Sequence, residues 1–187
     1  MDYNKLADLI FADITDTVDD LEKRFPERDL PEGARVTRFA PSPTGYMHIG
    51  GLYAAMISRK LAKQSGGVFY LRRELEDGVN EIINSLKKFD LGFDEGPFEG
   101  GETIYGPYKQ SERKEIYQTC TKKLMQEGYA YPDFTTAEEL DEIRAKQEAA
   151  KVDIGYYGEY AVGRNLTYEQ IEEKLAAGEP YVVRLKS

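Results

Sequence analysis

The order of signals between Arg35 and Leu71 constrains this chain most: a strand-like run, a proline-stiffened loop, a helical run and a second strand-like run follow one another. Arg35 to Phe39 alternates its side chains between two faces, as a strand does. Ala40-Pro41-Ser42-Pro43-Thr44-Gly45 then stops it. The two prolines remove backbone donors and fix the turn, while Thr44 and Gly45 leave the main chain open to a ligand. A helical pattern from about Gly50 to Gln64 carries Leu52, Ala55, Met56 and Leu61, Gly66 and Gly67 break it, and Val68 to Leu71 reads as the next strand. This unit predicts two neighbouring parallel strands joined by a right-handed crossover helix. Its ligand edge lies at the C-terminal ends of the strands, beside Ala40 and His48.

The flanks are helical, with turns between. Leu6, Leu9, Ile10 and Phe11 share one side of a short helix after Asp2, and Val18, Leu21 and Phe25 keep helical spacing after Thr17. A further helix from about Gly78 to Phe89 carries Val79, Ile82, Ile83, Leu86 and Phe89 on its apolar face, and Gly92 to Pro107 is rich in turn residues. Ser111 opens a helix whose Ile116, Cys120 and Leu124 form a buried stripe, which makes Cys120 a core thiol. After an extended piece, Tyr129 to Phe134, Thr136 with Glu139 and Thr167 with Gln170 are two capping boxes. Gly178 closes the second helix, and Tyr181 to Leu185 is a strand.

Charge excludes less than it suggests. The formal net charge of −9 argues against non-specific nucleic-acid binding, but residues 1–34 hold ten acids and four bases, leaving only −3 on the other 153 residues. A locally basic groove is compatible with that remainder. One cysteine in 187 residues supports neither an internal disulfide nor a multi-thiolate metal site. No apolar run approaches the ~20 residues of a membrane span, and no signal peptide follows Met1, so the expected location is cytoplasmic, with no membrane partner.

The chemistry concentrates in Arg38 to Gly51, RFAPSPTGYMHIGG. It sets a cation at a strand end, a hydroxyl at Ser42, the chain's single histidine, His48, and a glycine pair at a helix start whose amides favour phosphate. A lone histidine before two glycines is by itself more often structural. The whole string resembles the first signature of class I aminoacyl-tRNA synthetases, present as His48-Ile49-Gly50-Gly51, and Phe39 to Gly45 looks like the glutamyl-tRNA synthetases within that class. Ser65-Gly66-Gly67-Val68-Phe69-Tyr70-Leu71-Arg72, Gly106-Pro107-Tyr108 with Gln110-Ser111-Glu112-Arg113, Gly155-Tyr156-Tyr157-Gly158, Arg164-Asn165-Leu166 and Arg184 to Ser187 extend the resemblance over nearly the whole chain.

The resemblance implies an aminoacyl-tRNA ligase that activates glutamate with ATP and transfers it to tRNA. Its partners are then ATP, with Mg2+, L-glutamate and the tRNA acceptor end. Carried over by position, Arg38 holds the substrate carboxylate with Ala40 and Ser42 shaping the pocket. Thr44, Gly45, His48, Gly50 and Gly51 bind ATP, and His48 is the catalytic residue that stabilises charge on the phosphates. The implied fold is α/β: the first half of a Rossmann-like parallel-sheet catalytic domain with an inserted α/β acceptor-binding subdomain. Residues 1–34 form an acidic helical extension, 35–104 the half catalytic domain and 105–187 the inserted subdomain, truncated at its C-terminal end.

Three departures accompany the resemblance. After Arg72 the family continues through an acidic Ile-Glu-Asp-Thr-Asp loop, whereas Arg73-Glu74-Leu75-Glu76-Asp77 follows here. Either the loop is deleted or a segment is omitted between Arg72 and Arg73. The zinc site of some members has no counterpart, since Tyr131 to Thr135 and Ala161 to Arg164 contain no cysteine or histidine, and no metal is expected there. The family's lysine loop and anticodon-binding domain lie beyond Ser187, so the expected activity belongs to the complete enzyme and the chain alone is expected to be inactive. A short paralogue charging a tRNA nucleoside, and a non-catalytic nucleotide- or RNA-binding module, are the alternative readings.

Overall fold

The computed structural model describes residues 1–41, 48–73 and 79–186. In chain order the elements are α1 (Tyr3–Ile10), α2 (Val18–Arg24), β1 (Val36–Phe39), α3 (Ile49–Ser65), β2 (Val68–Leu71), α4 (Val79–Lys87), α5 (Lys114–Gln126), β3 (Ala130–Asp133), α6 (Ala137–Ala150), α7 (Tyr168–Ala176) and β4 (Val182–Leu185). They gather into two compact units, Met1–Val18 with Gln118–Ser187, and Asp19–Tyr117. Tertiary contacts divide the N-terminal stretch between the two units. Leu6, Ala7 and Phe11 pack with Met125, Ala130, Phe134 and Ile171, whereas Arg28 is tied to Glu95.

In the Asp19–Tyr117 unit, β1 and β2 pair in parallel with Val36 opposite Val68 and Phe39 opposite Leu71, as the strand, loop, helix, strand order predicts. Beyond β2, Tyr70 bridges Glu95 and Arg73 bridges Lys109, both in parallel sense. Past β2 the backbone changes partner: the Arg72 amide donates to the Phe39 carbonyl and that of Arg73 to the Tyr108 carbonyl, each at 3.0 Å. The core is Phe39, Ala55, Ala62, Phe69, Leu71, Ile83, Leu86 and Leu91. Gly67 is required at the entry to β2, since a Cβ there would stand 2.1 Å from the Arg35 carbonyl oxygen.

At α3 and α4 the neighbouring surface decides which apolar residues pack, and one expectation, Phe89 on the apolar face of its helix, needs correction. The buried residues of α3 are Ala55 and Ala62, while Met56 and Leu61 are substantially exposed. Small side chains seven apart let the helix approach β1 and β2, and the larger apolar residues turn outward. Phe89 is also exposed, because α4 ends at Lys87 and the turn that follows, with Asp90 at φ 58°, loses the helical phase.

In the other unit β3 and β4 pair antiparallel, with Ala130 opposite Leu185 and Asp133 opposite Val182. The last strand is thus part of a separate two-stranded sheet rather than an addition to the parallel pair. Both capping boxes form: the Thr136 and Thr167 hydroxyls accept from the Glu139 and Gln170 amides, and the side chains of Glu139 and Gln170 return the bond. Lys122 donates to the Ile14 carbonyl at 2.9 Å and pairs with Asp8 at 2.9 Å, neutralising exposed carbonyls just past α1. Cys120 is exposed, not a core thiol. The buried positions of α5 are Thr119 and Met125, one residue away from the expected stripe at each point. Among the described residues no helix is long and apolar enough to cross a membrane.

Candidate functional site

The described residues singled out by the sequence lie on two elements, Arg38 and Ala40 at the end of β1 and His48, Gly50 and Gly51 at the start of α3. His48 is the N-cap of α3, in extended backbone (φ −96°, ψ 167°), and its Nδ1 accepts the Gly50 amide at 3.2 Å. A first-turn amide has no partner within its own helix, so this bond satisfies one of the orphans. With Nδ1 occupied as acceptor, the neutral imidazole carries its proton on Nε2, and His48 is exposed. The ring therefore offers an N–H donor at the positive end of a 17-residue helix. Gly50 makes this possible, because a Cβ there would lie 3.0 Å from the ring's Cε1. Gly51 follows in the same first turn.

Arg38 and Ala40 occupy the end of β1 and the residue after it. Arg38 sits opposite Tyr70 in the parallel register and is exposed, on the face away from buried Phe39. Its guanidinium makes no hydrogen bond or ion pair to a described residue, so a carboxylate can approach it without displacing a partner. Ser42, Thr44 and Gly45 lie outside the described residues. Beside the helix start, Ile49, Gly50, Leu52, Tyr53 and Met56 line an open apolar recess of about 390 Å³. Phosphate-binding donors beside an apolar recess suit a ligand with an anionic and a flat apolar part. Among the described residues no group of three or more His, Cys, Asp or Glu is placed to hold a metal ion.

Two polar clusters carry the perturbed buried groups among the described residues, and sequence reasoning missed both. In the Asp19–Tyr117 unit, Arg28 forks onto the Glu95 carboxylate at 2.5 and 2.7 Å, and the Tyr108 hydroxyl donates to the same carboxylate. Burial pushes the Glu95 pKa up, but the hydrogen bonds from Arg28 and Tyr108 outweigh it and the net shift is downward. Burial and then the Glu95 carboxylate push the Tyr108 phenol up to about 12. In the other unit Asp133 accepts from the Thr135 and Tyr156 hydroxyls and from Arg184 Nε. Its pKa is also lowered, with burial opposed by the bonds from Thr135, Arg184 and Tyr156. The available signal was the pair of tyrosine-bearing strings, Gly-Pro-Tyr108 and Gly-Tyr156, but nothing local names their partners across 13 and 23 residues.

Comparison with known proteins shows the family. Residues 35–187 match the family of tRNA synthetases class I (E and Q), catalytic domain. The chain is 52% identical to a glutamate–tRNA ligase of Acetivibrio thermocellus over 196 positions, covering 100% of the chain and 36% of that protein. It is 49% identical to the Clostridium beijerinckii glutamate–tRNA ligase over 197 positions, covering 100% of the chain and 35% of that protein. The chain thus spans about a third of the length of these relatives. Both alignments exceed the 187 residues they include, so about ten positions of each relative have no counterpart in the chain. Among solved structures, a glutamate tRNA ligase from Elizabethkingia meningosepticum, in complex with its amino acid, superposes with a TM-score of 0.72 at 39% identity. That match covers 83% of the chain and 32% of the solved one.

Proposed function

The chain belongs to the class I tRNA synthetases of the E and Q group, through their catalytic domain, and from that premise we propose that it supplies part of a glutamate–tRNA ligase. In this reading a glutamate carboxylate oxygen attacks the α-phosphorus of ATP, a new P–O bond forms, and pyrophosphate leaves to give glutamyl adenylate. A ribose hydroxyl at the tRNA 3′ end then attacks the adenylate's carbonyl and releases AMP. The observation that carries the proposal is the His48 cap, with Nδ1 on its own helix and Nε2–H available to the phosphates as charge builds up. Arg38 is the cation for the glutamate carboxylate, Ala40 borders its pocket, and the apolar recess at Ile49, Tyr53 and Met56 takes the flat part of the nucleotide. Ser42, Thr44 and Gly45 complete the pocket in this proposal. Residues 35–104 then serve as the catalytic half-domain, 105–187 as the acceptor-binding insertion and 1–34 as an extension, in a cytoplasmic enzyme. The described residues provide no carboxylate cluster for the Mg2+ that accompanies ATP.

The test is glutamate-dependent ATP–pyrophosphate exchange on the purified 187-residue chain, with ATP binding measured alongside and a His48→Ala control. The expected result is weak ATP binding that the control lowers, with no measurable exchange or tRNA charging, since losing one electrostatic donor alone typically costs ~10²–10³ in rate. Robust exchange that vanishes in His48→Ala would show that this half-site suffices and overturn the reading that further chain is needed. ATP binding indifferent to His48→Ala would remove the nucleotide from the start of α3.

A further inference from the structure

A second cleft lies within the Asp19–Tyr117 unit and shares no lining residue with the start of α3. It holds about 390 Å³ between Phe25, Arg28, Val36, Tyr70, Arg72, Tyr105, Pro107, Tyr108, Arg113 and Tyr117. Four tyrosines and three arginines meet there and, among the described residues, no acidic side chain lines it, in a chain with nine more acidic than basic residues. The arginines are not equivalent. Arg28 is neutralised by Glu95 and its guanidinium lies 3.7 Å from the centre of the Tyr105 ring, so it acts as a wall. Arg113 is held by the carbonyls of Pro107 at 2.9 Å and Tyr105 at 3.3 Å and has no carboxylate partner among the described residues, so its charge is uncompensated.

We propose that this cleft binds one nucleotide unit, its base against the tyrosines and its phosphate at Arg113. The bond from Tyr108 to Glu95, the Thr103 bond to the Tyr108 hydroxyl and the Arg28 stack fix the aromatic walls before any ligand arrives, so little side-chain freedom remains to be lost on stacking. Every base presents a flat π face to such walls, and a guanidinium suits a phosphate. The volume lies at the small end of ligand pockets, which suits one base with its ribose phosphate and excludes a polypeptide helix. The nucleotide can come free or as the unpaired end of an RNA strand.

The experiment is NMR titration of the full 187-residue chain with AMP, with inorganic phosphate and with a single-stranded tetraribonucleotide, following the Arg113 side-chain N–H and the Tyr105 and Tyr117 amides. AMP is expected to shift these signals saturably, Arg113→Gln to weaken that binding about tenfold or more, and His48→Ala to leave it unchanged, which separates this site from the one at α3. Should Arg113→Gln unfold the unit, Tyr105→Leu provides the second variant, with the wild-type shift map as the primary readout. The tetranucleotide binding more tightly than AMP would identify RNA as the source, and equal binding would identify free nucleotide. AMP shifts confined to α3, or phosphate alone binding as well as AMP, would overturn the proposal.

Discussion

The two compact units solve one problem, a buried carboxylate, with the same two chemical groups, a guanidinium and a phenol, yet they use the result differently. In the Asp19–Tyr117 unit the Glu95 carboxylate takes the Arg28 fork and the Tyr108 hydroxyl, and the set joins a segment preceding β1 to a position beside β2. In the other unit Asp133 takes Arg184, Tyr156 and the Thr135 hydroxyl, and the Tyr156 hydroxyl also accepts the Gly163 amide at 3.0 Å. Asp133 therefore fastens β3 to β4 and to the turn at Val162–Asn165. Its side chain is wholly buried, whereas that of Glu95 keeps 9% of its surface. Gly163 leaves no room for variation, since a Cβ there would sit 2.0 Å from Asp133 Oδ1. One cluster is a closed fastening, while the other forms the wall of an open cleft.

The largest expected effect breaks this comparison at its strongest point. Asp133→Ala leaves the Arg184 charge and two hydroxyls without their acceptor and is expected to cost about 3–5 kcal/mol, with Glu95→Ala at the lower end of that range. Urea unfolding gives the magnitudes. Hydrogen exchange should show Asp133→Ala opening the β3 and β4 amides before those of β1 and β2, and equal loss in both units would refute separate cores. The acid limb should follow the same carboxylates. Both have folded pKa values below their ordinary 3.8 and 4.5, so their contribution is full above those values and is lost as pH falls through the lower folded ones. Asp133→Ala should flatten that limb more than Glu95→Ala does.

The next effect appears in alkali. The Tyr108 phenol rises from 10.0 to about 12 on folding, so the folded state holds its proton longer than the unfolded state. The stability this provides is complete below pH 10 and declines by about 3 kcal/mol as pH rises to 12. Tyr108→Phe should remove much of this decline, measured as the difference in unfolding free energy between pH 9 and 12. The Tyr156 phenol is also raised, chiefly by burial, and Tyr156→Phe should remove less. A larger effect at Tyr156 would reverse the ranking of the two phenols.

The smallest effect concerns only the unit of β3 and β4. Thr136→Ala and Thr167→Ala each remove a hydroxyl that accepts a helix amide and should cost about 1 kcal/mol apiece. The two losses should add, since the caps belong to different helices. Thermal unfolding of the single and double variants checks both points.

These caps also show what a linear sequence reveals. Thr136 with Glu139, Thr167 with Gln170 and the break at Gly66-Gly67 act within a few residues, so the chain order alone displays them. The strand at Val68–Leu71 was legible because its flanks are sharp. At the site, His48 and its glycines were legible for the same reason, and Arg38 through the string that contains it. Cys120 and Phe89 read as packed residues because an apolar stripe can be drawn through each of them. Which side of a helix packs is decided by the neighbouring surface, and at α3 that surface accepts Ala55 and Ala62. The Arg28 to Glu95 pair spans 67 residues and the Arg184 to Asp133 pair 51, so no local pattern encodes either.

The exposure of Cys120 has a practical side. It is the chain's single cysteine and stands on the open side of α5, within the residues that pack in the β3 and β4 unit. A maleimide dye or nitroxide would attach at one position without any substitution and without entering a core. The natural sequence thus provides a site-specific reporter on one unit, against which signals from the fourteen tyrosines can be compared as ligand or denaturant is added.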